Sequence, residues 1–304
     1  MNILWIKDNN VGHEKQVKVL LDELSKSHEV NIDERSIKNF FHFFKYIEKV
    51  DKNYYDILIG AGHKTYPFLL KIKKYQKPET KNIAILSPSF KKNNFDIICV
   101  PSHDKNKYKD SNNLITFEGS LAKVSLNEPD ENIIMICIGG KNKHYQFNTN
   151  HILSQINYFL SIHPNKHCYI FNSRRTPSSM NNQLKSLVIK NQNIVFCNIK
   201  NKSISFEDIL HKSSSKLITR DSVNMIYESL SCKGKSYLID MDCKKTNNKI
   251  VKNINELISN KKIGYIDCGN IIDGISKMQL YKQNIYNEVF AEVEKVSYQL
   301  NKLI

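Results

Sequence analysis

The chain has 304 residues, 40% hydrophobic and 10% aromatic, with a formal net charge of +15. That length and apolar content predict a large core split over two domains. No stretch approaches the ~20 apolar residues of a membrane span, and the opening MNILWIKDNN has neither the apolar core nor the cleavage site of a secretory signal, so a soluble, cytoplasmic chain is expected.

Of the 45 basic residues 41 are lysines spread along the chain, often beside asparagine, which reads as solvated surface. No nucleic-acid recognition module appears, so no nucleic-acid partner is expected. Three of the four arginines, Arg174, Arg175 and Arg220, stand just after expected strands in the second half, where a planar, always-charged fork suits phosphate. Seven cysteines form no CxxC pair. Cys99, Cys137, Cys168 and Cys197 fall in or beside apolar runs, as reduced core thiols would.

Short apolar runs alternate with amphipathic helical patterns twice over, the signature of an α/β fold with parallel sheets. In the first half the expected strands are NILWI (2–6), EVNI (29–32), DILIG (56–60), NIAIL (82–86), DIICV (96–100) and NLITF (113–117). After the first comes DNNVGHEKQVKVLLDEL (8–24), a loop leading into a helix with His13 at its start. A helix N-terminus disfavours imidazolium, so a neutral ring able to accept a proton is expected. NFFHFFKYIEK (39–49) carries Phe40, Phe41, Phe43 and Phe44 at helical spacing among lysines. Core packing is the main reading, and a face dipping into an anionic membrane the alternative. In IGAGHKTYPFLLK (59–71), Gly60 and Gly62 flank Ala61, and His63 and Lys64 precede a helix; Asp104 is a further polar residue at a strand exit. These hold an acceptor or simply make turns.

SLNEPDEN (125–132) is polar and aperiodic and reads as the linker. The domains are expected at 1–126 and 131–270, with a mostly helical segment, 271–304, packing back on the first.

Second-half strands are expected at NIIMICI (132–138), KHCYIF (166–171), NIVFC (193–197), SKLIT (215–219), KSYLI (235–239) and KIGYI (262–266). ICIGGKNKHYQFN (136–148) puts Gly139 and Gly140 straight after a strand, followed by Lys141, Lys143 and His144. Small residues let backbone N–H groups approach a phosphate and the lysines add charge, although a tight strand-to-helix turn explains the pattern equally well. In FNSRRTPSSM (171–180) Ser173 or Thr176 would cap a helix with Pro177 at its first position, leaving Arg174 and Arg175 near a positive helix end that an anion would relieve. In LITRDSVNMIYESL (217–230) Ser222 would cap a helix, and Glu228 would reach ribose hydroxyls. IDMDC (239–243) holds an Asp-x-Asp, but no further ligands are seen near it, so no metal is expected. Two parallel sheets binding at their carboxyl edges imply an active site in a cleft between the domains.

GHEKQ, GAGHKT, FDIICVPSHD, IGGKNKHY, SRRTP and DSVNMIYES occur in this order. Together they resemble the mitochondrial fission (elongated-mitochondria) family, whose bacterial members are regarded as GT-B glycosyltransferases; the family also looks like a distant relative of the peptidoglycan glycosyltransferase that acts on a lipid-linked acceptor. The resemblance implies a GT-B-like fold of two Rossmann-like domains facing an interdomain cleft. It implies a donor site lined by Gly139, Gly140, Lys141, Lys143, His144, Ser173, Arg174, Arg175, Thr176, Asp221, Ser222, Met225 and Glu228, with Gly12, His13 and Gln16 opposite. The chain departs from the family pattern at SPS (87–89), at GSLAK (119–123) and at Arg220, the first two on the acceptor side.

The leading expectation is a metal-independent glycosyltransferase that moves a sugar from a nucleotide-sugar co-substrate, with no other cofactor, to a hydroxyl of an envelope glycan or glycolipid. It would work in the cytoplasm, with a peripheral position on the inner face of the membrane as the alternative. His13 would be the base, Arg174 and Arg175 with the Ser222 helix end would hold the diphosphate, and Glu228 the ribose. The competing expectations are a GT-B-like scaffold without turnover and a nucleotide-sugar epimerase.

Overall fold

Apolar runs become strands because pairing in a sheet satisfies the backbone while both faces are covered. The computed structural model describes residues 1–37, 53–108, 113–201, 203–269, 271–272, 275–284 and 288–304. The phenylalanine-rich segment 39–49, and with it the membrane-facing alternative, lies outside the described residues. The chain divides into two units, Met1–Lys123 with Ala291–Ile304, and Val124–Phe290.

The first unit holds β1 (Asn2–Lys7), α1 (Val11–Leu24), β2 (Asn31–Ser36), β3 (Ile57–Ala61), α2 (Tyr66–Lys73), β4 (Lys81–Ile85), β5 (Ile97–Pro101) and β6 (Leu114–Phe117). Its strands form one parallel sheet in the order β2-β1-β3-β4-β5-β6. Leu4, Ile6, Leu58, Ala84, Ile98 and Val100 pack together with Tyr66, Phe68 and Leu69 of α2. β2 lies further along the chain than expected because it is an edge strand: polar Asp33, Glu34 and Arg35 are tolerated there, Arg35 pairing with Asp33 at 2.7 Å and Glu34 with Lys7 at 2.9 Å. The terminal helix Glu292–Leu300 buries Val293, Val296 and Leu300, packs on α1 and β6, and accepts the Glu118 N–H on Glu292 at 2.6 Å.

The second unit runs β7 (Asp130–Cys137), α3 (Thr149–Ser161), β8 (His167–Phe171), α4 (Ser178–Lys190), β9 (Ile194–Cys197), α5 (Phe206–Lys212), β10 (Ser213–Thr219), α6 (Val223–Leu230), β11 (Lys235–Ile239), α7 (Lys249–Ser259), β12 (Gly264–Asp267), β13 (Ile271–Ile272), β14 (Ile275–Ser276) and β15 (Gln279–Tyr281). Its main sheet has the order β15-β12-β11-β10-β7-β8-β9, parallel except for β15. Alternation sends Ile134, Ile136, Leu217, Tyr237 and Ile239 to one core, and Met135, Cys137, Ile218 and Leu238 to the other. The expectation of a mostly helical 271–304 fails at Ile271–Ile272, Ile275–Ser276 and Gln279–Tyr281, which are strands. There β15 runs antiparallel along β12, and Tyr281 stacks on Tyr265 at 4.9 Å, which covers the edge of the sheet. No helix among the described residues is long and apolar enough to cross a membrane.

Each sheet reverses its direction of growth once, between β1 and β3 in the first unit and between β7 and β10 in the second. At such a switch point two strand exits diverge, which leaves a crevice at the carboxyl edge.

Lys216, in the middle of β10, is fully buried. Its ammonium donates to the carbonyls of Ser229 (3.1 Å) and Lys233 (2.6 Å), closing the connection between α6 and β11. Burial lowers its pKa. Lys216→Met keeps the length but removes the ammonium donor from both carbonyls, leaving Ser229 O only its weaker contacts from Ser236 Oγ and Cys232 Sγ, so it should lower unfolding stability by about 1–3 kcal/mol, read as a lower urea midpoint at unchanged slope.

Candidate active site

At the first switch point, Asn10 caps α1, its Oδ1 accepting the Gly12 N–H at 3.0 Å. The cap places His13 in the first turn, facing back to the residue that leaves β1. His13 Nδ1 lies 2.7 Å from Asp8 Oδ2, with the histidine side chain 28% exposed and the aspartate 7%. Gly62, leaving β3 with φ +88°, lies against this pair: a Cβ there would sit 2.5 Å from His13 Nδ1 and 2.8 Å from Asp8 Oδ2. Burial alone would raise the Asp8 carboxyl. The His13 hydrogen bond, the Asn10 N–H and the Lys64 charge outweigh burial and hold it below its ordinary value. An ionised Asp8 accepts Nδ1–H, which leaves the Nε2 lone pair to take a proton. The sequence reading weighed only the helix end; Asp8 is a second charge on the ring, of opposite sign to that helix end.

The other first-unit candidates are placed differently. Gly12 lies in the first turn of α1 and Gly60 inside β3, not in loops. Gln16 is buried and both ends of its amide are engaged, donating to Gly12 O and accepting from Leu121 N, each at 3.2 Å. His63 turns its ring edge-on to Tyr66. Asp104 is buried at the exit of β5, ion-paired with Lys107 at 2.9 Å, and β4 separates that strand from β3. Gln16 and Asp104 therefore do not join His13.

At the second switch point the hub is Asp221, leaving β10 with its side chain 1% exposed. It accepts the Gly140 N–H at 2.8 Å and pairs with Arg175 Nη2 at 2.9 Å. Burial raises its carboxyl, against the pull of Gly140, Thr219 and Arg175. The Gly139 N–H donates to Thr219 Oγ1 at 2.7 Å. These glycine amides thus bond within the chain and do not form an open phosphate cradle. The glycines are needed for space, since a Cβ at 139 would meet the Asp221 carboxylate at 2.3 Å and one at 140 the Arg175 carbonyl at 2.1 Å.

Ser173 and Thr176 donate their hydroxyls to Gly139 O and so clamp the β8 exit to the β7 exit. Pro177, not Ser173 or Thr176, is the N-cap of α4. Ser222 occupies the N-cap of α6, but its side chain makes no capping bond. Arg175 also donates to Lys141 O at 3.3 Å. Arg174 is exposed, and among the described residues no ion pair or hydrogen bond engages its guanidinium. Lys141 and Lys143 are exposed beside the half-buried His144, whose pKa burial and the Lys143 charge lower. Arg220 turns to Asp240 at 3.0 Å, and Met225 packs on a core cluster. Burial raises the Cys137 and Cys232 thiols, and the Glu228 charge adds to the rise; Glu228 itself is half-buried on α6.

A cavity of about 450 Å³ next to the glycine loop is lined by Lys141, Tyr145, Gln146, Phe147 and Lys244. Asn142 shapes that loop, accepting the N–H groups of His144 and Tyr145 and donating to Asp221 O. Sequence reasoning missed Asp8, Asn142 and Thr219. Asp8 had a signal, an acid at a strand exit shortly ahead of a histidine at a helix start; Thr219 looked like any β-branched strand residue.

Asp8 is depressed in the fold, so the stability it contributes is present above its ordinary value of 3.8 and lost as the pH falls through that value and below. Wild type should exceed Asp8→Asn in unfolding free energy by a constant margin at neutral pH and a shrinking one in acid, as urea melts across pH would measure.

The family model described as Mitochondrial fission ELM1 matches residues 11–296. No curated protein matches the sequence. Among solved structures, the ADP-heptose LPS heptosyltransferase II of E. coli matches with a TM-score of 0.55 at 10% identity, covering 100% of this chain and 98% of that one. The UDP-GlcNAc 2-epimerase of Methanocaldococcus jannaschii gives 0.53 at 12%, covering 99% and 100%. MnaA of S. aureus, solved with UDP, gives 0.51 at 12%, covering 100% and 97%. Likeness at these identities is one of fold, a GT-B-like α/β architecture that transferases and epimerases share. With nearly its whole length matched, the chain belongs to the mitochondrial fission ELM1 family.

Proposed function

We propose that this protein is a glycosyltransferase that moves a sugar from a nucleotide-sugar donor to a hydroxyl of an envelope glycan or glycolipid. The observation that carries the reading is the Asp8–His13 pair, 2.7 Å apart at the first switch point. A proton acceptor oriented by a buried carboxylate is what attack by a sugar hydroxyl requires. In the proposed reaction His13 Nε2 takes the acceptor proton, the freed oxygen bonds to the anomeric carbon, and the bond from that carbon to the diphosphate breaks.

The donor reading rests on the second switch point. Arg174 is exposed there, and Lys141 and Lys143 are exposed on the loop after β7, whose Lys141 carbonyl accepts from the neighbouring Arg175; these cations would stabilise a departing diphosphate. Among the described residues, the buried polar atoms Asp221 Oδ1, His144 Nδ1 and Tyr145 Oη have no hydrogen-bond partner, and all three belong to the loops that follow β7 and β10. Buried polar atoms are satisfied as a rule, so these favour a polar ligand or water in that crevice. The UDP and UDP-GlcNAc bound by proteins of like fold make nucleoside diphosphates the first ligands to try. Glu228, half-buried on α6, would accept hydrogen bonds from the ribose hydroxyls.

One observation favours a second reading, a scaffold without turnover: the amides of Gly139 and Gly140 and the Arg175 guanidinium all bond within the chain. Thermal shift with a panel of nucleoside diphosphates and nucleotide sugars, then sugar release with and without acceptor, separates the readings. Transfer predicts a raised Tm and release only with acceptor; turnover without acceptor would mark an epimerase, and no nucleotide stabilisation would sink both enzyme readings. Arg174→Ala should weaken donor binding about 10–100-fold, the loss of ~1.4–2.8 kcal/mol. His13→Ala should bind donor normally but lose about 10²–10⁴-fold in transfer rate; unchanged transfer returns His13 to a structural role.

A further inference from the structure

Folding brings two further metal-ligating side chains to the Asp-x-Asp of IDMDC, where the sequence had shown none. Asp240 leaves β11, Cys268 leaves the neighbouring β12, and His151 lies in the first turn of α3. One ligand atom from each falls within 4.8 Å of the other two, and all three side chains are partly buried. We propose that His151, Asp240 and Cys268 form a binding site for a divalent transition-metal ion, with zinc the best chemical match.

The donor set argues for zinc over the hard cations. Magnesium and calcium take all-oxygen shells, whereas one imidazole, one thiolate and one carboxylate suit a borderline-soft ion. With zinc bonds of about 2.0–2.3 Å, tetrahedral ligand atoms lie ~3.3–3.8 Å apart, so this trio needs only side-chain adjustments of about an ångström to close. Three protein ligands leave the fourth position to water.

The surroundings hold the ligands in place. Gln155, fully buried, lies one turn beyond His151 on α3. Its amide donates to His151 O at 3.3 Å and to Asp240 O at 2.9 Å, and it accepts the Asp240 N–H at 2.6 Å. A single buried side chain therefore fixes the backbones of two of the three ligands against each other. Arg220 holds Asp240 Oδ1 at 3.0 Å, which orients the carboxylate and leaves Oδ2 for the ion. Asp267 adds a second negative charge close to Cys268, so the two carboxylates outweigh the Arg220 cation. None of the three ligands is a group that the proposed transfer uses, so this site stands or falls apart from that reading.

The test uses the full chain, reduced, chelator-treated and then titrated with cobalt(II) alone. The proposal expects a thiolate-to-cobalt charge-transfer band that saturates at one equivalent and is bleached by zinc. Cys268→Ser should abolish the band and His151→Ala should weaken cobalt binding at least ~10-fold. Cys243→Ser, which removes the other half-buried thiol, should leave the band intact. Urea midpoints without metal establish that each variant folds. No band in the wild type, a band that survives Cys268→Ser, or one lost in Cys243→Ser would overturn the assignment.

Discussion

The Asp221 carboxylate is the contact on which the second unit's ligand edge depends. It leaves β10, receives the Gly140 amide from the β7 exit at 2.8 Å, and meets the Arg175 guanidinium from the β8 exit at 2.9 Å. Three loops that would otherwise move separately are tied through one buried charge. Losing Arg175 would leave the buried carboxylate without its counter-charge, at a cost of about 1–3 kcal/mol given the half exposure of the guanidinium. The tie also explains its neighbours: residues 139 and 140 are glycine because the carboxylate and the Arg175 backbone occupy the space a side chain would need. With Arg175 committed to Asp221, the exposed Arg174 is left to face outward.

The same device appears in the first unit with a different partner. Asp8 leaves β1 as Asp221 leaves β10, each next to its sheet's switch point, and each has a glycine from the neighbouring strand exit pressed against it, Gly62 in one case and Gly139 in the other. The partners set the chemistry. Asp221 holds an arginine, whose charge is permanent. Asp8 holds a histidine at 2.7 Å. The two similar sheets thus each set a buried aspartate at the switch point, one paired with an arginine and the other with a histidine.

Much of this was legible in the sequence, for physical reasons. Strands buried on both faces must be apolar almost throughout, so NIIMICI and DIICV declared themselves, and glycine-bearing loops after them marked the carboxyl edges. His13, Arg174 and Arg175 stood out as rare residue types at those exits. What stayed hidden depends on long-range contacts. Nothing local says that Lys216 is a buried tie, that Gln16 is turned to the chain's own backbone, or that Cys268 comes beside Asp240. Gly60 and Gly62 look alike on paper, yet one sits inside a strand and only the other takes a positive φ. The edge strand Gln279–Tyr281 was misread because three residues carry too little periodicity to outweigh the helical pattern beyond them.

If the crevice between β7 and β10 receives the donor's diphosphate, hydrogen–deuterium exchange with and without a nucleoside diphosphate will show ligand-induced protection in residues 138–145, 173–176 and 219–225, with the other strand exits unchanged. Protection confined to other segments, or none at a nucleotide concentration that raises Tm, would contradict that placement.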